Sequence, residues 1–344
     1  MKPIMPTFIG NRAVANKLGS AILSGGISHA YIIGGPAKSG KHTLAYQLAA
    51  SLACENKDRS DLPLPCGACE ACRKILSGIS PDVILVGGGE KATLGVDIVR
   101  ELRIGVLSYP NDLDVKIYII ENADKMTSQA QNAFLLTLEE PPPYVLFLLL
   151  CERPEDMLET IRSRAPIIRT EPLTTEQIED FLSKSEATSE LLRSSPDDFY
   201  EIVMASGGRL GEAIELSDAD KRARVIECRD HVRSFIASMS RRSSGSEVID
   251  IIEGFPQNRA ELSERLSLIL TALRDLVVLK KSENAPLCFY HNRDAALELS
   301  DRFSMFSLLS LTDSCENARR AILRNANIKL TLYNLVTRGN YGTK

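Results

Sequence analysis

The sequence predicts an α/β P-loop domain built on a parallel sheet, followed by a small helical domain and then an all-helical bundle. Three observations carry that expectation. Short apolar runs alternate with helical patterns through the first half, a glycine-rich loop joins the first of these runs to a helix, and the strand signal fades after Leu173. Repeated βα units set parallel strands side by side and cover both faces of the sheet with helices. The boundaries expected are 1–170 for the α/β domain, 171–217 for a small helical domain and 218–344 for an all-helical bundle.

In order along the chain, AYIIGG reads as the first strand, and a helix opens at Lys41 and runs through LAYQLAASLA. After a cysteine-rich insert, PDVILVGG, KIYIIEN and YVLFLLLCE read as strands separated by the helical patterns VDIVRELRIGVLS and SQAQNAFLLTLEE. The apolar runs are short and bounded by Gly, Pro, Asn or Glu, which favours buried strands over helices. PIIRT follows as another strand. TTEQIEDFLSKS, SPDDFYEIVMASGG and RLGEAIELS are three short helical patterns punctuated by Ser, Pro and Gly, and from about Asp218 the pattern stays helical to the end. Loops are expected at SRRSSGSEV and around NAPLCFYHN.

Composition sets limits on function. The 344 residues, 44% of them hydrophobic, exceed one comfortable core. Charged residues make up 25% and nearly balance at a formal net charge of -4, so there is no global field drawing the molecule to DNA or a membrane surface. No apolar run reaches the ~20 residues of a membrane span, and MKPIMPTFIGNRAVANK lacks the pattern of a secretory signal, so the cytoplasm is the expected address. In that reducing setting eight cysteines point to buried thiols or metal ligands more than to disulfides.

The loop GGPAKSGKHTL carries Gly35, Gly40 and Lys41 at the spacing by which backbone N–H groups and a helix N-terminus face phosphates while the lysine reaches their outer oxygens. His42 stands where a magnesium-binding Ser or Thr is expected, and imidazole is a poor substitute for a hard oxygen ligand. Thr43 does not replace it, because one helical step turns the side chain by roughly 100°. At the end of KIYII the acid that should hold magnesium is Glu121, one methylene longer than the usual Asp. Efficient hydrolysis is not expected from such a site, and nucleotide binding is expected to be weak or absent.

Cys54, Cys66, Cys69 and Cys72 form the third pattern. Two C-x-x-C steps place three thiolates in seven residues, and Pro63, Pro65 and Gly67 favour the tight turns that point sulfurs inward. Four thiolates suit a closed structural zinc site; a reduced metal-free cluster or redox pair is the other reading. Cys151, Cys228, Cys288 and Cys315 stand alone and read as core residues. Within Glu159-Thr-Ile-Arg-Ser-Arg-Ala165, Arg164 sits at a helix end, where it either complements the helix dipole or projects its planar fork toward a phosphate on a neighbour.

Taken together, residues 28–45, 54–72, 116–142 and 160–165 resemble the clamp-loader branch of the AAA+ ATPases. Thr137-Leu-Glu-Glu-Pro-Pro142 followed by Ser163-Arg164 is the most specific part, although the usual Ser-Arg-Cys ends here in Ala165. The resemblance implies a lid, a collar and a ring-like assembly with the other clamp-loader subunits (gamma/tau and delta), acting on a sliding clamp and primer-template DNA. It also implies that the residue after Glu121 is a water-polarising Glu in active members; here it is Asn122, an amide that cannot take a proton. Motor subunits of the branch carry an intact GKT or GKS loop, an Asp-Glu pair and an N-terminal Lys-Tyr-Arg-Pro stretch, none of which is present. Non-motor members donate the Arg of Ser-Arg-Cys to a neighbour's ATP, which assigns that role to Arg164. SGGRLGEA at 206–213 takes the sensor-2 place, aligning Leu210 with the usual Arg and leaving Arg209 one position off register. Two rivals remain: an active gamma/tau-type ATPase, and a zinc-bearing nucleic-acid binder using the basic run KRARVIECRDHVRSFIASMSRR.

Overall fold

A computed structural model describes residues 2–87, 93–240 and 245–340. The chain forms two compact units: Met1–Ile178 with Gly208–Glu212, and Glu179–Gly207 with Ala213–Lys344. The first is the expected α/β unit. Its five strands are β1 (Ala30–Gly34), β2 (Val83–Val86), β3 (Lys116–Ile120), β4 (Val145–Cys151) and β5 (Ile167–Arg169), all paired in parallel in the order β2-β3-β4-β1-β5.

Period-2 alternation explains how uniformly apolar strands serve two helical layers. Tyr31 and Ile33 of β1, Ile117 and Ile119 of β3, and Leu146, Leu148 and Leu150 of β4 pack with α1 (Arg12–Leu23), α2 (Lys41–Leu52) and α3 (Glu70–Leu76). The intervening residues Ile32, Tyr118, Ile120, Phe147 and Leu149 face α4 (Val96–Val106), α5 (Ser128–Glu139) and α6 (Glu159–Arg162). Because β1, β3 and β4 are buried along their whole length, their sequences have no polar face, and this is why they read as short apolar blocks. The carboxyl ends of these three strands gather the glycine-rich loop, Glu121 and Cys151-Glu152 on one edge, where open parallel sheets place their ligands.

From there the chain is helical: α7 (Thr175–Ser183), α8 (Glu186–Ser194), α9 (Pro196–Ser206), α10 (Leu210–Glu215), α11 (Ala219–Met239), α12 (Gly245–Glu253), α13 (Arg259–Leu279), α14 (Arg293–Asp301), α15 (Met305–Leu323) and α16 (Ile328–Asn340). Leu262, Leu266, Ile269, Leu273 and Leu276 recur at alternating steps of four and three along α13, giving a stripe that packs with Leu308, Leu311 and Cys315 of α15 and Leu332, Leu335 and Val336 of α16. No described helix is long and apolar enough to cross a membrane. The loop expected around NAPLCFYHN is present between α13 and α14. Arg241–Ser244 of SRRSSGSEV lie outside the described residues, while Gly245–Val248 already belong to α12. Helix α8 was not anticipated: EATSELLRS offers only Leu191 and Leu192 as large apolar residues, too few to register as a stripe.

One expectation is corrected here, and one rival reading loses support. Of the four isolated cysteines only Cys151 and Cys315 are core residues; Cys228 is half-buried and Cys288 is exposed. The buried Asp275 carboxylate draws the backbone N–H of Cys288 inward at 2.8 Å, which leaves its thiol outward, 3.2 Å from Arg274 Nη1. The basic run on α11 is not a free cationic stripe either. Arg229 is only 2% exposed, with Nε 2.5 Å from Glu201 Oε2, and its guanidinium stacks 4.3 Å over the Phe289 ring. Arg233 pairs with the same carboxylate and with Asp230 at 2.5 Å. Two of the cations that would meet phosphates are therefore committed inside their own unit.

Candidate functional site: a folded-back P-loop, a four-cysteine cluster and a helix-end arginine

The loop after β1 has the geometry of a phosphate cradle. Lys38 at φ 61° and Gly40 at φ 88° turn the chain through the left-handed region, so that α2 begins at Lys41 directly above the strand end. Gly35 is required sterically: a Cβ there would lie 2.0 Å from Thr170 Oγ1 and 2.9 Å from the Thr170 carbonyl oxygen. Thr170 is held in turn by Ser39, the two hydroxyls being 2.8 Å apart. Gly35→Ala is expected to lower stability by about 1–3 kcal/mol through this overpacking, read as a fall in thermal midpoint.

What fills the cradle is the protein itself. Lys41 is 9% exposed and its Nζ donates to the carbonyls of Gly35 and Pro36, each at 2.6 Å. Burial lowers its pKa, while the nearby Glu152, Cys151 and Asp124 act in the opposite sense. His42 Nε2 lies 3.0 Å from Glu121 Oε1. Thr43 is exposed on the next helical step, and Asn122 is exposed at φ 49° where β3 gives way to a single 3-10 turn. Asp124, which no motif singles out, lies two residues beyond Asn122. Its Oδ2 accepts from the backbone N–H groups of Glu152 and Arg153 at 3.1 Å each, tying the ends of β3 and β4 together, and its Oδ1 is covered without a partner. The signal was present, because Asp124 belongs to the same ENAD stretch as Glu121.

The segment that resembles sensor 2 sits against the loop. Gly211 N–H donates to the Lys38 carbonyl at 3.2 Å and Lys38 Nζ lies 2.9 Å from Glu212 Oε2. A Cβ on Gly211 would come within 3.0 Å of Lys38 Cβ. Leu210 opens α10, and Arg209 Nη1 is 3.9 Å from Glu212.

Cys54, Cys66, Cys69 and Cys72 come together with their sulfurs all within 4.8 Å of one another. A tetrahedral ion with bonds of about 2.3 Å requires sulfurs roughly 3.8 Å apart, so the cluster fits a small thiophilic cation such as zinc with little rearrangement. Cys54 follows the end of α2, Cys66 and Cys69 flank a turn at Gly67 (φ 72°), and Cys72 lies in α3. The thiols are not equivalent. Burial raises the pKa of Cys54 and of Cys72. For Cys66 burial is outweighed by hydrogen bonds from Asn56, Cys69 and Ala68, which bring it down to about 6. A site with one ready thiolate and three covered sulfurs is suited to metal capture and offers no open position for catalysis.

Arg164 follows the short helix α6. Its Nη1 donates to the Thr160 carbonyl at 3.0 Å and its Nη2 to Glu139 Oε1, at the end of α5, at 2.8 Å. Ala165 beside it is fully buried, which explains a small residue at that place. The structure thus brings the loop residues together with Glu121 and assembles the four cysteines, while Arg164 stands apart with its fork folded onto its own unit.

Residues 10–174 match the family described as DNA polymerase III, delta subunit. The chain is 31% identical over 210 residues to DNA polymerase III subunit tau of Bacillus subtilis, a match covering 61% of this chain and 36% of that protein. It is 31% identical over 210 residues to subunit tau of Escherichia coli, covering 61% and 32%, and 30% identical over 208 residues to subunit gamma of Buchnera aphidicola, covering 60% and 56%. The match therefore spans from about a third to just over half the length of these curated relatives. Among solved structures, a DNA polymerase III gamma subunit-related protein from Thermotoga maritima aligns over 96% of this chain and 99% of its own, at 18% identity and a TM-score of 0.45.

Proposed function

We propose, on the premise that this chain belongs to the AAA+ clamp-loader family of DNA polymerase III subunits (gamma, tau and delta), that it is a delta-prime-like member which serves as a stator for ATP-hydrolysing neighbours. In this reading 1–170 is the P-loop body with its zinc module, 171–217 the lid and 218–344 the collar through which subunits associate. The assembly, containing gamma/tau and delta, opens a sliding clamp and places it on primer-template DNA during replication. Arg164 reaches the γ-phosphate bound next door.

The observation that carries the proposal is the 3.0 Å contact between His42 and Glu121. Magnesium needs an oxygen from each of those two positions, and here the two side chains satisfy each other. Lys41 is likewise turned onto loop carbonyls. Binding a magnesium nucleotide would require breaking both arrangements and would return only an imidazole and an over-long carboxylate as ligands. Asn122 then leaves no base for the attacking water. The isolated chain with magnesium and ATP is expected to show no turnover above background, and Lys41→Ala is expected to change nothing in that assay.

The second reading is an active gamma/tau-type ATPase, and one observation favours it: the named relatives are gamma and tau subunits. Identity near 31% speaks for common descent of the α/β body, whereas turnover depends on a few positions, which here are His42, Glu121 and Asn122. The geometry of the loop stands with the first reading. Metal-dependent turnover by the isolated chain that disappears on Lys41→Ala would decide for the second.

A further inference from the structure

We propose that Asn56 is a positioning residue of the four-cysteine metal centre, with its side-chain amide on Cys66 and its backbone N–H on Cys54 holding in register two ligands that come from separate segments. This inference rests on the reading that the cluster holds zinc. Asn56 stands two residues beyond Cys54, where the chain leaves α2 in a turn closed by Lys57 N–H on the Cys54 carbonyl at 3.2 Å and Arg59 N–H on the Asn56 carbonyl at 3.1 Å. From that turn its Nδ2 donates to Cys66 Sγ at 3.5 Å, and its backbone N–H is a donor to Cys54. Two further links within the cluster are local, and Cys66 itself reaches Cys54 across the two segments. Cys69 N–H donates to Cys66 Sγ and Cys72 N–H to Cys69 Sγ, each at 3.4 Å and each three residues along the chain. Asn56 adds donors from the turn after α2 to ligands of both segments, Cys54 and Cys66.

Its target is also the ligand most open to water. Cys54, Cys69 and Cys72 are buried, whereas Cys66 is half-buried. A hydrogen bond to a metal-bound thiolate fixes where the sulfur lone pairs point and draws off part of its charge, and losing such an outer partner typically costs 10–100-fold in metal affinity. An amide is suited to this place because it donates without competing for the ion.

The test uses the full chain and its Asn56→Asp and Asn56→Ala variants, with Zn²⁺ competed against a chromophoric chelator and Co²⁺ as a spectroscopic stand-in. Wild type is expected to bind one ion per chain with a four-thiolate charge-transfer band. Both variants are expected to raise the zinc dissociation constant by about 10–100-fold and to shift the band to lower energy, because a thiolate relieved of an N–H donor gives up its electrons more readily. Asp keeps the size and turn chemistry of Asn and lacks the N–H but adds a charge, whereas Ala adds none, so an effect common to both variants reads the hydrogen bond. A residue that only shaped the turn would lower the thermal midpoint without moving the band. Wild-type affinity and an unshifted band in both variants overturn the role of Asn56; a wild-type chain that takes up neither ion overturns the metal reading itself.

Discussion

On the proposal that Arg164 serves a neighbour's ATP, Arg164→Ala is expected to slow turnover at that site by about 10³–10⁵ when the loader is assembled with clamp and primed DNA, while assembly itself is unaffected. The size follows from what an arginine delivered in trans does: it places a planar cation against charge that grows on the γ-phosphate in the transition state. Its present partners do not prevent this. The Glu139 pair is a surface contact, with side chains 37% and 45% exposed, and such pairs are worth about 0–1 kcal/mol. The Thr160 carbonyl holds only one arm of the fork. Exchanging both for a triphosphate is therefore inexpensive, and the rigid anchor, fully buried Ala165 next to α6, stays in place. Arg164→Lys is expected to recover little, because a point charge on a flexible stem cannot reproduce a bidentate fork. Steady-state ATPase of the reconstituted complex, with gel filtration to confirm its composition, reads both halves; undiminished turnover in a complete complex removes Arg164 from the mechanism.

Much of the α/β unit was legible because its information is local. A parallel strand buried on both faces must be a continuous apolar block, so KIYII and YVLFLLLC announced β3 and β4 without any tertiary knowledge. The same holds for the glycine spacing of the loop and for the C-x-x-C steps, where three of the four ligands lie within seven residues. What the sequence did not reveal is side-chain pairing across elements. His42 and Glu121 were each recognised as an odd residue for its place, yet nothing in either segment says that they meet, since that depends on β1 and β3 being separated by only β4 in the sheet. Asp124 escaped for the same reason: its partners are backbone groups after β4. The basic run on α11 reads as a solvated or subunit-facing surface, because a charge pattern does not disclose which cations have a buried acid waiting on another helix.

That acid is Glu201, and the second large effect is expected there: Glu201→Leu should destabilise the unit formed by Glu179–Gly207 and Ala213–Lys344 by about 3–5 kcal/mol. The carboxylate on α9 is shared by Arg229, Arg233 and His291, with His291 Nδ1 2.7 Å from Oε1. Arg229 also donates to the Phe289 carbonyl, so removing Glu201 leaves a guanidinium that is buried, anchored and without its counter-charge. The pH dependence has a definite sign. Burial alone would raise the Glu201 pKa, but His291, Arg229 and Arg233 outweigh it and bring the group down to about 2 from its ordinary 4.5. A carboxyl depressed on folding stabilises the protein above its unfolded pKa and loses that contribution as pH falls through the folded one. The gap between wild type and Glu201→Leu in urea unfolding should thus be full at pH 7 and shrink between about 4.5 and 2. Adding Arg229→Met should restore much of the loss, because an apolar pair of similar volume no longer carries a desolvated charge. Equal unfolding midpoints for wild type and Glu201→Leu at pH 7 would mean that the packing of α8 and α11, and not this ionic knot, holds α9 in place.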